Sequence, residues 1–147
     1  MVSEVSTLRL RPAGARDVPF LVDLRNALAS SFLSQFPATQ AKTLRLLATS
    51  GTYITERDGK PVGSFSLYNI QGIKAEFGRF MVAPEAQGNG IGSWALERAL
   101  EKAGEQRIRR LELMVREDNT EAINLYSKHG FTPVRRGPGY AVMRRNL

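Results

Sequence analysis

The chain has 147 residues, no cysteine, one histidine and a formal net charge of +7. That length supports one hydrophobic core, a single domain over residues 1–147, and the missing residue types exclude disulfides, thiolate metal sites, a cysteine nucleophile and any histidine-built metal centre or triad. No apolar run approaches the roughly 18 residues of a membrane-spanning helix, and Met1 to Pro12 lacks the apolar stretch of a secretory signal, so a cytoplasmic protein without a membrane partner is expected.

Thr7 to Arg11 alternates apolar and basic residues and predicts a short strand ended by Pro12. Asp17 stands where a cap belongs for a helix over Val18 to Ala29, with the stripe Phe20, Leu21, Leu24 and Leu28. Beyond Pro37, Thr39 caps a second helix that turns Leu44, Leu47 and Ala48 inward. Thr52 to Glu56 and Val62 to Tyr68 read as strands joined by a hairpin at Asp58-Gly59. After a turn over Asn69 to Lys74, Ala75 to Val82 pairs antiparallel with its predecessor until Pro84 stops it.

The chain then enters Gln87-Gly88-Asn89-Gly90-Ile91-Gly92, which opens a helix over Gly90 to Ala103. The helix buries Ile91, Ala95, Leu96, Ala99, Leu100 and Ala103, with Gly104 as its C′ residue. A turn of this kind aims several backbone N–H groups at one point, and the helix dipole adds positive potential there, so a phosphate is the natural guest. The spacing is neither the dinucleotide fingerprint G-x-G-x-x-G nor a P-loop, which would need Gly-Lys-Ser/Thr. Taken alone it fits a ligand-free strand-to-helix turn equally well. A strand over Arg110 to Val115, a helix over Thr120 to Lys128 closed by Gly130, and strands Phe131 to Arg135 and Tyr140 to Arg144 around Gly137-Pro138-Gly139 complete the chain. Seven strands and four helices in this order predict a mixed α/β sheet with helices on both faces.

Two stretches carry a resemblance. Gln87, Gly90 and Gly92 match Q/R-x-x-G-x-G/A, and Asn119, Ala122, Tyr126, Gly130 and Phe131 match N-x-x-A-x-x-x-Y-x-x-x-G-F. In this order and spacing they resemble the GNAT superfamily of N-acetyltransferases. The resemblance implies a mostly antiparallel sheet whose fourth and fifth strands splay apart, with acetyl-CoA as cosubstrate in the gap and no metal. It implies backbone bonds from Phe80, Met81 and Val82 to the pantetheine arm. It also implies that Gly88, Asn89, Gly90, Ile91, Gly92 and Ser93 surround the pyrophosphate, that Gln87 closes the loop, and that Asn119 contacts the cofactor.

The implied reaction is direct acetyl transfer to a primary amine. Tyr126 matches the family's general acid, since a phenol with pKa about 10 holds its proton at neutral pH. Without the motif it would read as a buried helix aromatic. Glu76 occupies the position of the family's catalytic glutamate. It is read either as the general base, with ordered water as the alternative, or as a strand carboxylate paired with Arg79 or Lys74. Met114 stands where the ribosomal-protein alanine acetyltransferases carry a glutamate, and Glu112 is out of register, so that specialisation is in doubt. His129 reads as a cation at a helix C-terminus rather than a catalyst. Trp94 lies off its helix's stripe, either packed on another element or at a subunit contact.

By family position the acceptor pocket would draw on Arg25, Asn26, Phe32, Phe36, Tyr68 and Tyr140. Aromatics beside an arginine suit a substrate with an apolar part and a negative group, and core packing accounts for the same residues equally well. An anionic small amine is the first expectation and a peptide N-terminus the second. A coenzyme A-binding sensor or scaffold without turnover, or a protein N-terminal acetyltransferase, is the alternative. The basic residues are scattered, so nucleic acid is not an expected partner; the C-terminal strands are the surface on which a homodimer would form.

Overall fold

A computed structural model describes residues 7–34 and 36–147. Residues 1–6, half of the segment searched for a secretory signal, lie outside the described residues. Seven strands form one sheet in the order β1-β2-β3-β4-β5-β7-β6. They are β1 (Leu8–Pro12), β2 (Gly51–Arg57), β3 (Lys60–Gln71), β4 (Lys74–Val82), β5 (Arg110–Arg116), β6 (Thr132–Gly137) and β7 (Tyr140–Asn146). All neighbours pair antiparallel except β4 with β5, which run parallel. The helices are α1 (Val18–Ala27), α2 (Gln40–Thr49), α3 (Ile91–Glu105) and α4 (Thr120–Lys128). No helix among the described residues is long and apolar enough to cross a membrane.

The sheet has a core on each face. On one, Phe65, Leu67, Ala75 and Phe77 pack with Ala95, Leu96 and Ala99 of α3, Tyr126 of α4 and Phe131. Burying a large apolar side chain contributes about 1.5–3 kcal/mol, so this layer dominates stability. On the other, Leu21 and Leu24 of α1 pack with Ile54, Val62, Met81 and Ile91. Gly63 lets β3 and β4 meet closely, because a Cβ there would lie 2.5 Å from the Met81 carbonyl oxygen. We expect Gly63→Ala to destabilise the protein by about 1–3 kcal/mol, read as a lower denaturant midpoint at constant slope.

Four local expectations are corrected. Asp17 does not cap α1: its carboxylate accepts two bonds from Arg11, at 2.8 and 2.9 Å, and one from the Gly14 N–H at 2.8 Å. The Arg11 guanidinium holds its pKa below the usual carboxylate value, and this ion pair takes the oxygens a cap would need. The first helix ends at Ala27, and Ala29 to Ser31 tighten into a 3-10 turn. In α2, Leu44 and Ala48 are exposed while Thr43, Leu46 and Leu47 face inward, a rotation of the stripe by about one residue. Thr39 does cap that helix, accepting from the Lys42 N–H at 3.2 Å.

Gly104, the expected C′ residue, stays inside α3. The left-handed position falls on Arg107 (φ 63°), with bonds from the Ile108 N–H to the Ala103 carbonyl and from the Arg107 N–H to the Gly104 carbonyl. Burial of Ile108 decides the stop, since a fully buried apolar residue just past the helix closes this motif.

Candidate active site

The β4–β5 ladder is short. Its register runs Lys74↔Arg110, Ala75↔Leu111, Glu76↔Glu112 and stops, although both strands continue to Val82 and Arg116. Beyond Glu76 the facing edges of β4 and β5 are therefore unpaired with each other, and their backbone polar groups need other partners. At the end of β4 the chain turns through residues 87–90 into α3. Gly88 (φ 82°) and Gly90 (φ 76°, the residue before the helix) have left-handed backbone, which only glycine adopts readily. A Cβ at either would meet nothing within 4 Å, so the mouth of the turn is open to a ligand. Gln87 ties the turn back by donating from Nε2 to the Val82 carbonyl at 3.0 Å.

These features answer the demands of coenzyme A. An open, glycine-built helix N-terminus fits a diphosphate, and an unpaired strand edge fits an amide-rich arm.

Tyr126 stands beside the unpaired edge. Its ring is boxed by Phe77, Phe80 and Phe131, with centroids 6.2, 6.3 and 5.9 Å away. The side chain is buried, and its hydroxyl bonds to no protein group among the described residues; burial pushes its pKa well above the usual phenol value. Asn119 caps α4, its Oδ1 accepting from the Ala122 N–H at 3.2 Å. That leaves the Asn119 amide hydrogens for another partner.

His129 joins the two helices of the site. Its Nδ1–H donates to the Leu125 carbonyl at 2.9 Å, near the C-terminal end of α4, and its Nε2 lies 3.1 Å from Ser93 Oγ in the first turn of α3. Trp94 packs against the α3–α4 core, with Arg98 over its ring at 5.4 Å.

Glu76 sits at the last position of β4 that pairs with β5, opposite Tyr68 of β3 and beside Glu112 of β5. Among the described residues it forms no ion pair with Lys74 or Arg79. Its Oε2 instead accepts from Asn69 Nδ2 at 2.5 Å. Glu112 is held by Arg144, 2.6 Å away, and Met114 is 52% exposed.

Between the sheet and the α1–α2 pair lies a cavity of about 230 Å3. Arg25 and Phe36 of the expected acceptor set line it, and Phe32 stacks under the Arg25 guanidinium at 4.0 Å. Asn26 is spent elsewhere, bracketing the Ala38 backbone through Oδ1 at 2.8 Å and Nδ2 at 3.3 Å. Tyr68 lies over Gly78, outside the cavity lining. Tyr140 packs on Gly137 in the β6–β7 hairpin, also outside that lining. A hairpin turn brings an aromatic back onto its own glycine, an outcome that residue spacing does not distinguish from a pocket wall.

Arg79 is the residue that strand alternation misses. A register shift between Ser64 and Ser66 marks a bulge, and Arg79 within it has φ 50°. Strict alternation from Phe77 would send Arg79 into the α3–α4 core. The extra residue instead sends Phe80 there, 5.4 Å from Phe77, and turns Arg79 into the cavity.

The profile described as acetyltransferase (GNAT) family matches residues 21–131, and the chain belongs to that family. It is 46% identical over 55 residues to a mycothiol acetyltransferase of Jonesia denitrificans, covering 37% of this chain and 18% of that protein. It is 28% identical over 137 residues to a mycothiol acetyltransferase of Streptomyces griseus, covering 90% of this chain and 45% of that one. The chain thus spans less than half the length of the curated relatives it matches. The fold superposes with TM-score 0.85 on a GCN5-related N-acetyltransferase of Kribbella flavida, at 27% identity over 95% of this chain and 98% of the other. It superposes with TM-score 0.84 on the PaiA N-acetyltransferase of Thermoplasma acidophilum in complex with coenzyme A, at 18% identity over 96% and 99%.

Proposed function

We propose that the chain transfers an acetyl group from acetyl-CoA to a primary amine. The carrying observation is the early end of β4–β5 pairing at Glu76↔Glu112 beside an open glycine turn at the start of α3. When bound, acetyl-CoA supplies the activated thioester, and its diphosphate matches the turn. The backbone of Phe80, Met81 and Val82 would hold the pantetheine arm. The N–H groups of Gly88, Asn89, Gly90, Ile91, Gly92 and Ser93 would surround the diphosphate, with the Asn119 amide in contact and Gln87 bracing the loop.

The proton balance assigns the side chains. The amine reacts only after losing a proton, and nitrogen loses a second one as the N–C bond replaces the C–S bond. Glu76, directly or through water, would take the first, and the second would return to Tyr126 once it has donated; a strand N–H near Val82 would face the carbonyl oxygen. Tyr126 keeps the departing sulfur from leaving as a bare thiolate by donating its proton. In water that transfer is uphill, from a phenol near 10 to a thiol near 8.5. The apolar box that raises Tyr126 would raise a thiolate's basicity too, so burial acts on donor and acceptor in the same direction. The net change is ammonium plus thioester to amide, thiol and one released proton.

Calorimetry and a thiol-release assay test this. Acetyl-CoA is expected to bind with a dissociation constant of about 1 μM to 1 mM, and thiol is expected to appear only when an amine is added. Binding without release for any amine would demote the protein to a coenzyme A-binding scaffold. No binding to the folded protein would remove the proposal entirely.

A further inference from the structure

The cavity under α1 and α2 carries three cations and no carboxylate. Arg25, Lys42 and Arg79 line it, and none of them makes an ion pair among the described residues. Many basic side chains of this chain lack an ion pair among the described residues; what sets these apart is that they line one cavity and that Arg25 and Arg79 are half-buried there. Arg79 has only a 3.3 Å bond from Nε to Ser66 Oγ and the Tyr68 ring 4.6 Å from its guanidinium carbon. Arg25 donates from Nη2 to the Ser34 carbonyl at 2.9 Å, while its Nη1 is buried without a hydrogen-bond partner among the described residues. Burial lowers the pKa of both guanidiniums, the signature of positive charge taken out of water without a counter-charge.

A buried donor left unmade is expensive, and a desolvated charge more so. The rest of the lining is largely apolar, with Leu21, Leu46, Leu47 and Met81 around the charges. The bulge that places Arg79 there also holds it in left-handed backbone, a strained state for a non-glycine residue and one that clusters at ligand sites. The floor of the cavity includes Arg79 and Met81, on the strand whose other edge is unpaired toward β5. A molecule anchored on Arg79 therefore sits within a residue or two of that edge.

We propose that this cavity is the acceptor pocket and that it takes a small primary amine bearing a carboxylate and an apolar side chain, with the carboxylate held by Arg79 and Arg25. The assignment rests on the acetyl-transfer proposal for the word acceptor, but the carboxylate site itself does not. A guanidinium fork matches a carboxylate with two parallel bonds, and the apolar walls select an aliphatic or aromatic body. Free amino acids with apolar side chains are the simplest members of this class.

The test compares N-acetyl-leucine, N-acetyl-methionine and N-acetyl-phenylalanine with their amides by calorimetry on the full chain, without coenzyme A. At least one carboxylate is expected to bind about 30-fold or more tighter than its amide, the scale of a desolvated charge pair. In Arg79→Met that ratio is expected to fall toward one. Arg25→Met and Arg79→Lys, each checked for folding by circular dichroism, are expected to reduce it in part and keep the question open to refutation if Arg79→Met does not fold. Equal binding of carboxylate and amide, no binding of any of the three, or a ratio unchanged in the folded variants overturns the assignment. Acetyl-CoA and the free amino acids with their amides, run in the thiol-release assay, separate the two claims. Turnover of amines with no carboxylate preference sinks the pocket and leaves acetyl transfer standing. A carboxylate ratio above 30 without acetyl-CoA binding sinks acetyl transfer and leaves the anion site.

Discussion

Tyr126→Phe is expected to lower kcat about 100-fold or more while leaving the affinity for acetyl-CoA within a few-fold. The substitution removes one oxygen from a side chain already packed among Phe77, Phe80 and Phe131, so the core keeps its shape. It also removes a hydroxyl with no protein partner among the described residues, so no hydrogen bond between them is broken and none of their buried groups is orphaned. What is lost is the proton source for the leaving sulfur, and general acid catalysis contributes about 10²–10⁴-fold. The measurement is kcat at saturating acetyl-CoA and amine, with cofactor affinity from calorimetry. An unchanged kcat would leave Tyr126 as a core aromatic and nothing more. A loss that shrinks with an acyl donor whose thiol is more acidic would support donation to sulfur.

Gly90→Val is expected to weaken acetyl-CoA binding about 100-fold. A β-branched residue at φ 76° costs about 1–2 kcal/mol, and the loop can relieve that strain only by rotating away from the left-handed region. Rotation turns neighbouring N–H groups off the point where a diphosphate would sit. Losing two hydrogen bonds to a charged ligand, about 1.5 kcal/mol each at the low end, accounts for the factor. Gly104→Ala is the control: it lies exposed inside α3 with open space around its Cα, and it is expected to raise stability by about 0.5–1 kcal/mol. Calorimetry on both variants, with thermal unfolding alongside, distinguishes loss of the turn from loss of the fold. Retention of wild-type affinity in Gly90→Val would show that the turn holds no anion.

The order of elements was legible from local signals, because each depends on a few adjacent residues. The Asp58-Gly59 hairpin, the Pro84 stop, the Thr39 cap and the apolar face of α3 all appear as read. The conformation of the glycine turn was legible for the same reason. Gly88 and Gly90 adopt backbone that other residues resist, so their presence in a strand-to-helix turn announces the conformation. The face of α2 and the end of α3 were not legible. Each turns on which apolar residue reaches a partner far away in the chain, as Ile108 does when it closes the helix that Gly104 was expected to end.

The sequence by itself determined the family, the succession of strands and helices, and the glycine-built turn before α3, all of which follow from short-range chemistry. Only the tertiary structure decided which side chains line the cavity under α1 and α2. Arg79 reaches the cavity because one unpaired residue in β4 reverses the alternation of Phe80 and Arg79 against β3, and no residue type in that stretch signals the reversal. Asn26, Tyr68 and Tyr140 lie outside the cavity because their partners (the Ala38 backbone, Gly78 and Gly137) claim them first. That two half-buried guanidiniums share one cavity with no carboxylate in its lining becomes visible only in the folded structure.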